Sequence, residues 1–345
     1  MQKESFIPFI IGTLVSIILL SLVIGGGIFF YIKNLKANGI FLTPIEKNTK
    51  KPNLFSKIKG TPKYNTIFKE NEILNVLLLG IDRRSKAQDG FNTDVMILLS
   101  INPLTNRVLL TSVPRDLWIN GNKINALYTV YGWETLKDAF EKITGQRVDG
   151  YIRADFEDFR WIVDSFGGVP INVENSFTDT TFPNNSDTGV ITVSFIQDNE
   201  KMNGERALIF TRSRHGNNGE GSDLMRAKRQ HLILKGMLEA VKQPESIFWP
   251  MDVENFYKVT TTHMSTTLSL GDAYYLWDFY KDKDKYTIES FVIGDDYIYF
   301  PGLYPKSPYR AWVFIPRDES FSSLHQDITD KLNGTFVNPQ TTQTP

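Results

Sequence analysis

No cysteine occurs anywhere in the chain, which excludes disulfides, thiolate nucleophiles and cysteine-ligated zinc in one step. Only four histidines are present, His215, His231, His263 and His325, and they stand too far apart to form a metal-ligating motif. A Walker loop, a G-x-S-x-G elbow and an H-E-x-x-H pair are equally missing. These absences argue against hydride transfer, serine hydrolysis and zinc proteolysis. Strong net charge is lacking too: the formal value is −1, so nothing global marks a nucleic-acid binder. An anionic ligand would have to be met by a local cluster of basic residues.

What is present begins with a single long apolar run. From Phe6 to Ile32 no residue is charged, more than the roughly 20 residues a helix needs to cross a bilayer. No small-x-small cleavage site follows, so residues 6–32 are expected to be an uncleaved membrane anchor behind a short tail, 1–5. Lys3 is offset by Glu4, whereas Lys33, Lys36, Lys47, Lys50 and Lys51 follow the run. Flanking charge alone would therefore put the body in the cytoplasm. Residues 33–71, rich in Lys, Asn, Pro and Thr, suit a juxtamembrane stalk.

The body is expected at 72–333, with a core at 75–241, an extension at 242–333 and a disordered tail at 334–345. Asn75–Ile81 is an apolar run of the kind buried in an α/β sheet, and Asp82 stands at its end. Asp94–Ser100 and Arg107–Val113 read as a hairpin around the turn-forming Asn102–Asn106. Glu134–Ile143 and Phe156–Phe166 carry helical spacing, and Val169–Val173 resumes as a strand. Asn203–Arg212 predicts a short helix. Ser222–Val241 predicts a long one, capped by Ser222, with Leu224, Ala227, Leu234, Met237, Leu238 and Val241 facing inward. This alternation predicts an α/β fold, a mixed central sheet flanked by helices.

Several constellations could carry chemistry. Asp82 ends one strand and Asp94 begins another, so on neighbouring strands their carboxylates would meet at one rim and suit Mg²⁺ or Mn²⁺. The plainer alternative is a turn cap and a surface ion pair with Arg83 or Arg84. Arg115 and Asp116 follow an apolar strand at its C-terminal end, where open α/β sheets place ligands; a solvated pair would look the same. Arg212 and Arg214 precede a Gly/Asn-rich loop, His215–Gly221. After it, Asp223, Arg226, Arg229 and Gln230 share one face of the long helix, opposite its apolar face. Ordinary solvated faces mix Lys and Glu; this one concentrates arginine, as a polyanionic ligand would require.

In order along the chain, NVLLLGIDRR, NTDVMILLSINP, TSVPRDLWI, KINALYTVYG, DSFGGVPINV and MNGERALIFTRSRHGNNGEGSDLMRAKRQ resemble the LytR-CpsA-Psr family of cell-envelope glycopolymer transferases. The resemblance runs from Asn75 to Val241. It implies an anchored, extracytoplasmic α/β domain that moves a glycopolymer from a polyprenyl diphosphate to peptidoglycan, with the lipid in an apolar groove. It further implies Asp82 and Asp94 as metal ligands, Arg115, Arg212, Arg214, Arg226 and Gln230 on the diphosphate, and Asp223 orienting them. Asp82 or Asp116 is the candidate base. The catalytic candidates are thus Asp82, Asp94, Arg115, Asp116 and Arg226, and the substrate-binding ones Arg83, Arg212, Arg214, Asp223, Arg229 and Gln230. Asn92 departs from the family, many of whose members carry Arg there; Arg83 or Arg84 would have to replace that charge. Hydrolysis of a polyprenyl diphosphate and non-catalytic binding of lipid-linked glycans, or an influence on wall-gene expression, are the rival readings.

Overall fold

The computed structural model describes residues 65–337, apart from 84–85, 87, 89, 185–187, 242, 244–245, 248–251 and 303–311. The chain divides into two compact units, Met1–Pro62 and Lys63–Pro345, and every described residue belongs to the second. The expected anchor at 6–32 and most of the stalk lie outside the described residues. Among the described residues no helix is long and apolar enough to cross a membrane.

Three strands form the heart of a mixed sheet: β1 (Leu74–Ile81), β2 (Thr93–Asn102) and β3 (Arg107–Ser112), each antiparallel to the next. A small hairpin follows, β4 (Trp118–Ile119) and β5 (Asn122–Lys123). After it come helices α1 (Ile124–Tyr131) and α2 (Trp133–Thr144). Strand β6 (Gly150–Ala154) then pairs parallel to β1, and Asp155 caps α3 (Phe156–Ser165). Strand β7 (Val169–Asn172) pairs with β10 (Asn199–Met202), and β8 (Phe177–Pro183) with β9 (Val190–Phe195). Helices α4 (Gly204–Arg212), α5 (Asp223–Ala240), α6 (Val253–His263) and α7 (Leu270–Lys281) follow. Strand β11 (Ser265–Thr266) lies between α6 and α7 and edges the sheet beside β6. Strand β12 (Thr287–Val292) runs parallel to β3, giving the six-strand order β11-β6-β1-β2-β3-β12. Short β13 (Ile298–Tyr299) and β14 (Ile315–Pro316) pair with each other, and α8 (Ser322–Asn333) closes the domain.

Continuous apolarity in β1 reflects burial on both faces. Leu77 and Leu79 pack with Met96, Leu98 and Leu109 under α1, α2 and α8, while Leu74 and Val76 join Ile101, Val108 and Leu268 on the other side. A third core gathers α3, α4, α5 and the strands β7–β10 around Phe166, Phe177, Phe195 and Phe210.

Three expectations are corrected. The body starts earlier than 72, because Phe68 is buried and Asp272 accepts hydrogen bonds from the Thr66 hydroxyl and the Ile67 N–H. The extension 242–333 is no appendage: it supplies β12 to the sheet and Leu324, Ile328 and Leu332 to the main core. In α5 Ala227 is buried and Met237 and Val241 pack against the core as expected, but so is a row of Arg226, Arg229, Ile233, Gly236 and Ala240, whereas Leu224 is 46 % exposed. The arginines therefore lie on the packed face, at alternating spacings of three and four, not opposite it. At the far end, residues 334–337 fold back on α8, with Asp330 accepting from Thr335 and Lys331 over the Phe336 ring.

Candidate functional site

The site grows out of one rim of the sheet. The ladder between β1 and β2 pairs Gly80 with Val95 and, after an irregularity, Ile81 with Thr93. A Cβ at Gly80 would approach Val95 to 2.9 Å, so glycine lets the strands close there. The Asp82 N–H then donates to the Asn92 carbonyl at 2.9 Å. Asp82 and Asp94 thus stand on neighbouring strand ends, as expected. One strand over, the Val113 N–H donates to Met96 at 3.0 Å, which delivers Arg115 to the same rim.

Arg115 grips Asp94, its Nη1 donating to both carboxylate oxygens at 2.8 Å, and its Nε reaches Asp116 at 3.3 Å. Lys123 also holds Asp116, at 2.6 Å. From the loop after α4, Arg214 comes within 3.9 Å of Asp94. At the start of α5, Arg226 pairs with Asp223 at 3.1 Å. Asp94, Arg115, Asp116, Arg214, Asp223 and Arg226 therefore share one electrostatic neighbourhood.

That neighbourhood is strained in charge. Burial, then Arg214 nearby, brings Arg226 from 12.5 down to about 10, and its Nε is buried without a partner among the described residues. Arg214 is likewise lowered by burial and by Arg115. Burial lowers Arg115 too, but Asp94, with Asp116 and Asp223, raises it on balance. Guanidinium groups crowded and partly dehydrated in this way favour an incoming anion.

The loop carrying Arg214 is held from two sides. Buried Asp179 of β8 accepts from the Ser213 hydroxyl at 2.7 Å and from the Arg214 and His215 N–H groups at 3.3 and 3.2 Å. Burial pushes the Asp179 carboxyl up, but these donors bring it below the usual range. On the other side Arg229 donates to Glu220 at 2.7 Å, to the Phe210 carbonyl at 2.9 Å and to the Ser213 carbonyl at 2.5 Å. Arg229 is spent on this clamp, so we correct its assignment from ligand binding to loop support.

Arg83 also stands apart, donating to Asp155 at 2.8 and 3.1 Å. Despite burial, that bond and those from Lys86 hold Asp155 at about 2. Arg83 therefore does not replace the charge absent at Asn92, and Arg84 lies outside the described residues. Arg212 faces the rings of Phe156 and Phe182, at 4.4 and 5.3 Å. Gln230 is half-buried one turn beyond Arg226. Lys123, Asp179 and Glu220 escaped sequence reasoning. Lys123 lies in a motif quoted above, but nothing local marked the two acids.

Asp82 and Asp94 are hard oxygen donors, and Mg²⁺ commonly takes one or two carboxylates with phosphate oxygens completing its shell. The pair fits that pattern, although Arg115 occupies both Asp94 oxygens. Among the described residues no three His, Cys, Asp or Glu side chains come together to hold a metal unaided.

The fold is thus a mixed α/β domain with an arginine–carboxylate cluster at one rim of its sheet. The chain belongs to the LytR_cpsA_psr family, which it matches over residues 33–306. It is 30 % identical over 258 residues to the polyisoprenyl-teichoic acid–peptidoglycan teichoic acid transferase TagU of Oceanobacillus iheyensis, covering 71 % of this chain and 73 % of that one. The TagU of Bacillus cereus is 25 % identical over 320 residues, 90 % of this chain and 92 % of its own. Among solved structures, Bacillus subtilis TagV superposes with a TM-score of 0.56 at 19 % identity, covering 77 % and 99 %. A structure of TagT bound to LIIa-WTA gives 0.56 at 21 % identity, covering 80 % and 94 %.

Proposed function

We propose that the protein transfers an anionic glycopolymer from a polyprenyl diphosphate to peptidoglycan, on the outer face of the membrane to which residues 6–32 anchor it. The observation that carries this reading is the convergence of Arg115, Arg214 and Arg226 beside Asp94. Membership in a family whose relatives are named as teichoic acid transferases to peptidoglycan supports it. Orientation follows from the substrates, since large domains translocate regardless of flanking charge.

In the proposed reaction an acceptor sugar hydroxyl attacks the polymer-side phosphorus of the diphosphate. A new P–O bond forms, the bridging P–O bond breaks, and polyprenyl phosphate leaves. Arg115, Arg214 and Arg226 bind the non-bridging oxygens and the departing phosphate, whose charge grows in the transition state. Asp223 orients Arg226, and Lys123 holds Asp116 in place. Asp116 or Asp82 takes the hydroxyl proton. Mg²⁺ or Mn²⁺ held by Asp82 and Asp94 would supply further charge neutralisation. The half-buried Leu78, Leu99 and Ile152 of the sheet offer apolar surface for the lipid, as do Phe159 and Met237 of α3 and α5.

The test is product analysis with the detergent-solubilised full chain, a labelled polyprenyl-diphosphate glycan and peptidoglycan. Asp94→Asn should lower transfer on the order of 10²-fold, and chelation should act likewise. Equal release of polyprenyl phosphate with and without acceptor would mean hydrolysis. No release from a donor that still binds would mean a non-catalytic module.

A further inference from the structure

The rim has a second flank that the diphosphate cluster does not use. The parallel register of β6 on β1 pairs Leu77 with Tyr151, Leu79 with Arg153 and Gly80 with Ala154. Arg153 therefore leaves the sheet on the side of α1 and α2, one strand from the end that carries Asp82. Its guanidinium lies 5.2 Å from the Phe91 ring and 4.9 Å from the Tyr128 ring, and Nη2 donates to the Ser265 hydroxyl at 3.1 Å.

No carboxylate pairs with Arg153 among the described residues. Its neighbours along the rim differ: Arg83 has Asp155 and Arg115 has Asp94. A half-buried guanidinium held between two rings, with no carboxylate paired to it among the described residues, is a ready partner for an anion. The rings are fixed as well. Phe91 precedes Asn92, the residue bonded to Asp82, and the Thr129 hydroxyl donates to the Phe91 carbonyl at 2.6 Å. Tyr128 meets Tyr151 edge-on at 5.8 Å, and Trp133 lies 4.6 Å from Tyr151.

We propose that Arg153, Phe91 and Tyr128 form a subsite for an acidic saccharide. The guanidinium takes its carboxylate or phosphate, and the rings take the C–H face of the sugar, whose positive edge suits an aromatic face. Arg153 is two strands from Asp94, roughly 10 Å, a separation that a sugar attached to the reacting phosphate would span. The proposal rests on the transfer reading only for the origin of that saccharide, the donor polymer or the wall glycan.

The test is equilibrium binding to the detergent-solubilised full chain, without turnover. Its probes are a soluble muramyl oligosaccharide with free lactyl carboxylates and a neutral chito-oligosaccharide of equal length. The wild type should favour the acidic probe by about 10-fold, as expected for one charge-assisted contact. Arg153→Gln should erase that preference and Arg153→Lys should keep most of it. KM values for donor and acceptor, taken separately on the same variants, tell the two sources apart. A preference that survives in Arg153→Gln with both KM values unchanged overturns the proposal. So does a wild type that shows no preference while neither KM responds to Arg153→Gln. Failure of transfer itself would leave the binding result intact.

Discussion

Replacing Arg226 by methionine should strengthen the free protein and disable it. Arg226 is 9 % exposed, and among the described residues its Nε has no partner and its one ion pair is with Asp223, whose side chain is 60 % exposed. A drop from 12.5 to about 10 corresponds to about 3 kcal/mol held against the charged form in the fold. Methionine has a similar reach and carries no charge, so the variant should recover about 1–3 kcal/mol, in line with other buried charges exchanged for apolar residues. Turnover should fall on the order of 10²-fold, because in the proposed reaction the lost donor meets the developing phosphate charge. Urea unfolding of the soluble domain gives the first quantity and labelled-donor assays the second. Polyprenyl diphosphate should raise the melting temperature of the wild type and leave that of Arg226→Met nearly unmoved. A variant less stable than wild type, or one that keeps its turnover, refutes the reasoning.

The remaining predictions concern what supports the site. His231 is 1 % exposed, and burial, with Lys235 nearby, lowers it from 6.5 to about 4 while Ser112 lies 2.9 Å from its Nε2. Between those pH values the unfolded chain takes up the proton first, so stability present above about 6.5 is lost towards pH 4, to a total of about 3 kcal/mol. His231→Leu should flatten that slope in urea titrations at several pH values; an unaltered slope would assign it elsewhere. Glu220→Ala leaves Arg229 buried without its carboxylate and should cost about 3–5 kcal/mol, whereas adding Arg229→Met should restore much of it. A double variant no better than Glu220→Ala would contradict the clamp. Asp179→Asn replaces a carboxylate that accepts from Ser213, Arg214 and His215 and should loosen Arg214. Both kcat and kcat/KM for the donor should fall about 10-fold, as for a contact that strengthens in the transition state; unmoved kinetics would place Arg214 outside the site.

Local pattern decided much of this protein before any tertiary contact. The runs Asn75–Ile81, Asp94–Ser100 and Arg107–Val113 became strands because their apolarity is continuous, and Ser222 caps α5 because its hydroxyl accepts from the Met225 N–H. Those properties reside within a few residues of each other, so a sequence displays them. The motifs also carried the family. Tertiary structure alone decided the rest. Leu117 and Trp118 are met by Phe314, and β3 finds β12 only after, among the described residues, seven intervening helices and eight strands have been laid down. The arginine stripe of α5 read as the face opposite the apolar one because spacing gives the angle between faces and not which face is covered. Covering Arg229 required Glu220 and the Phe210 and Ser213 carbonyls from the preceding helix and loop, and that loop is held in turn by Asp179 of β8. Arg153 was an ordinary strand residue until the parallel register of β6 set it between Phe91 and Tyr128. Sequence determines which groups can carry charge; packing determines which of them are paired and which are brought face to face.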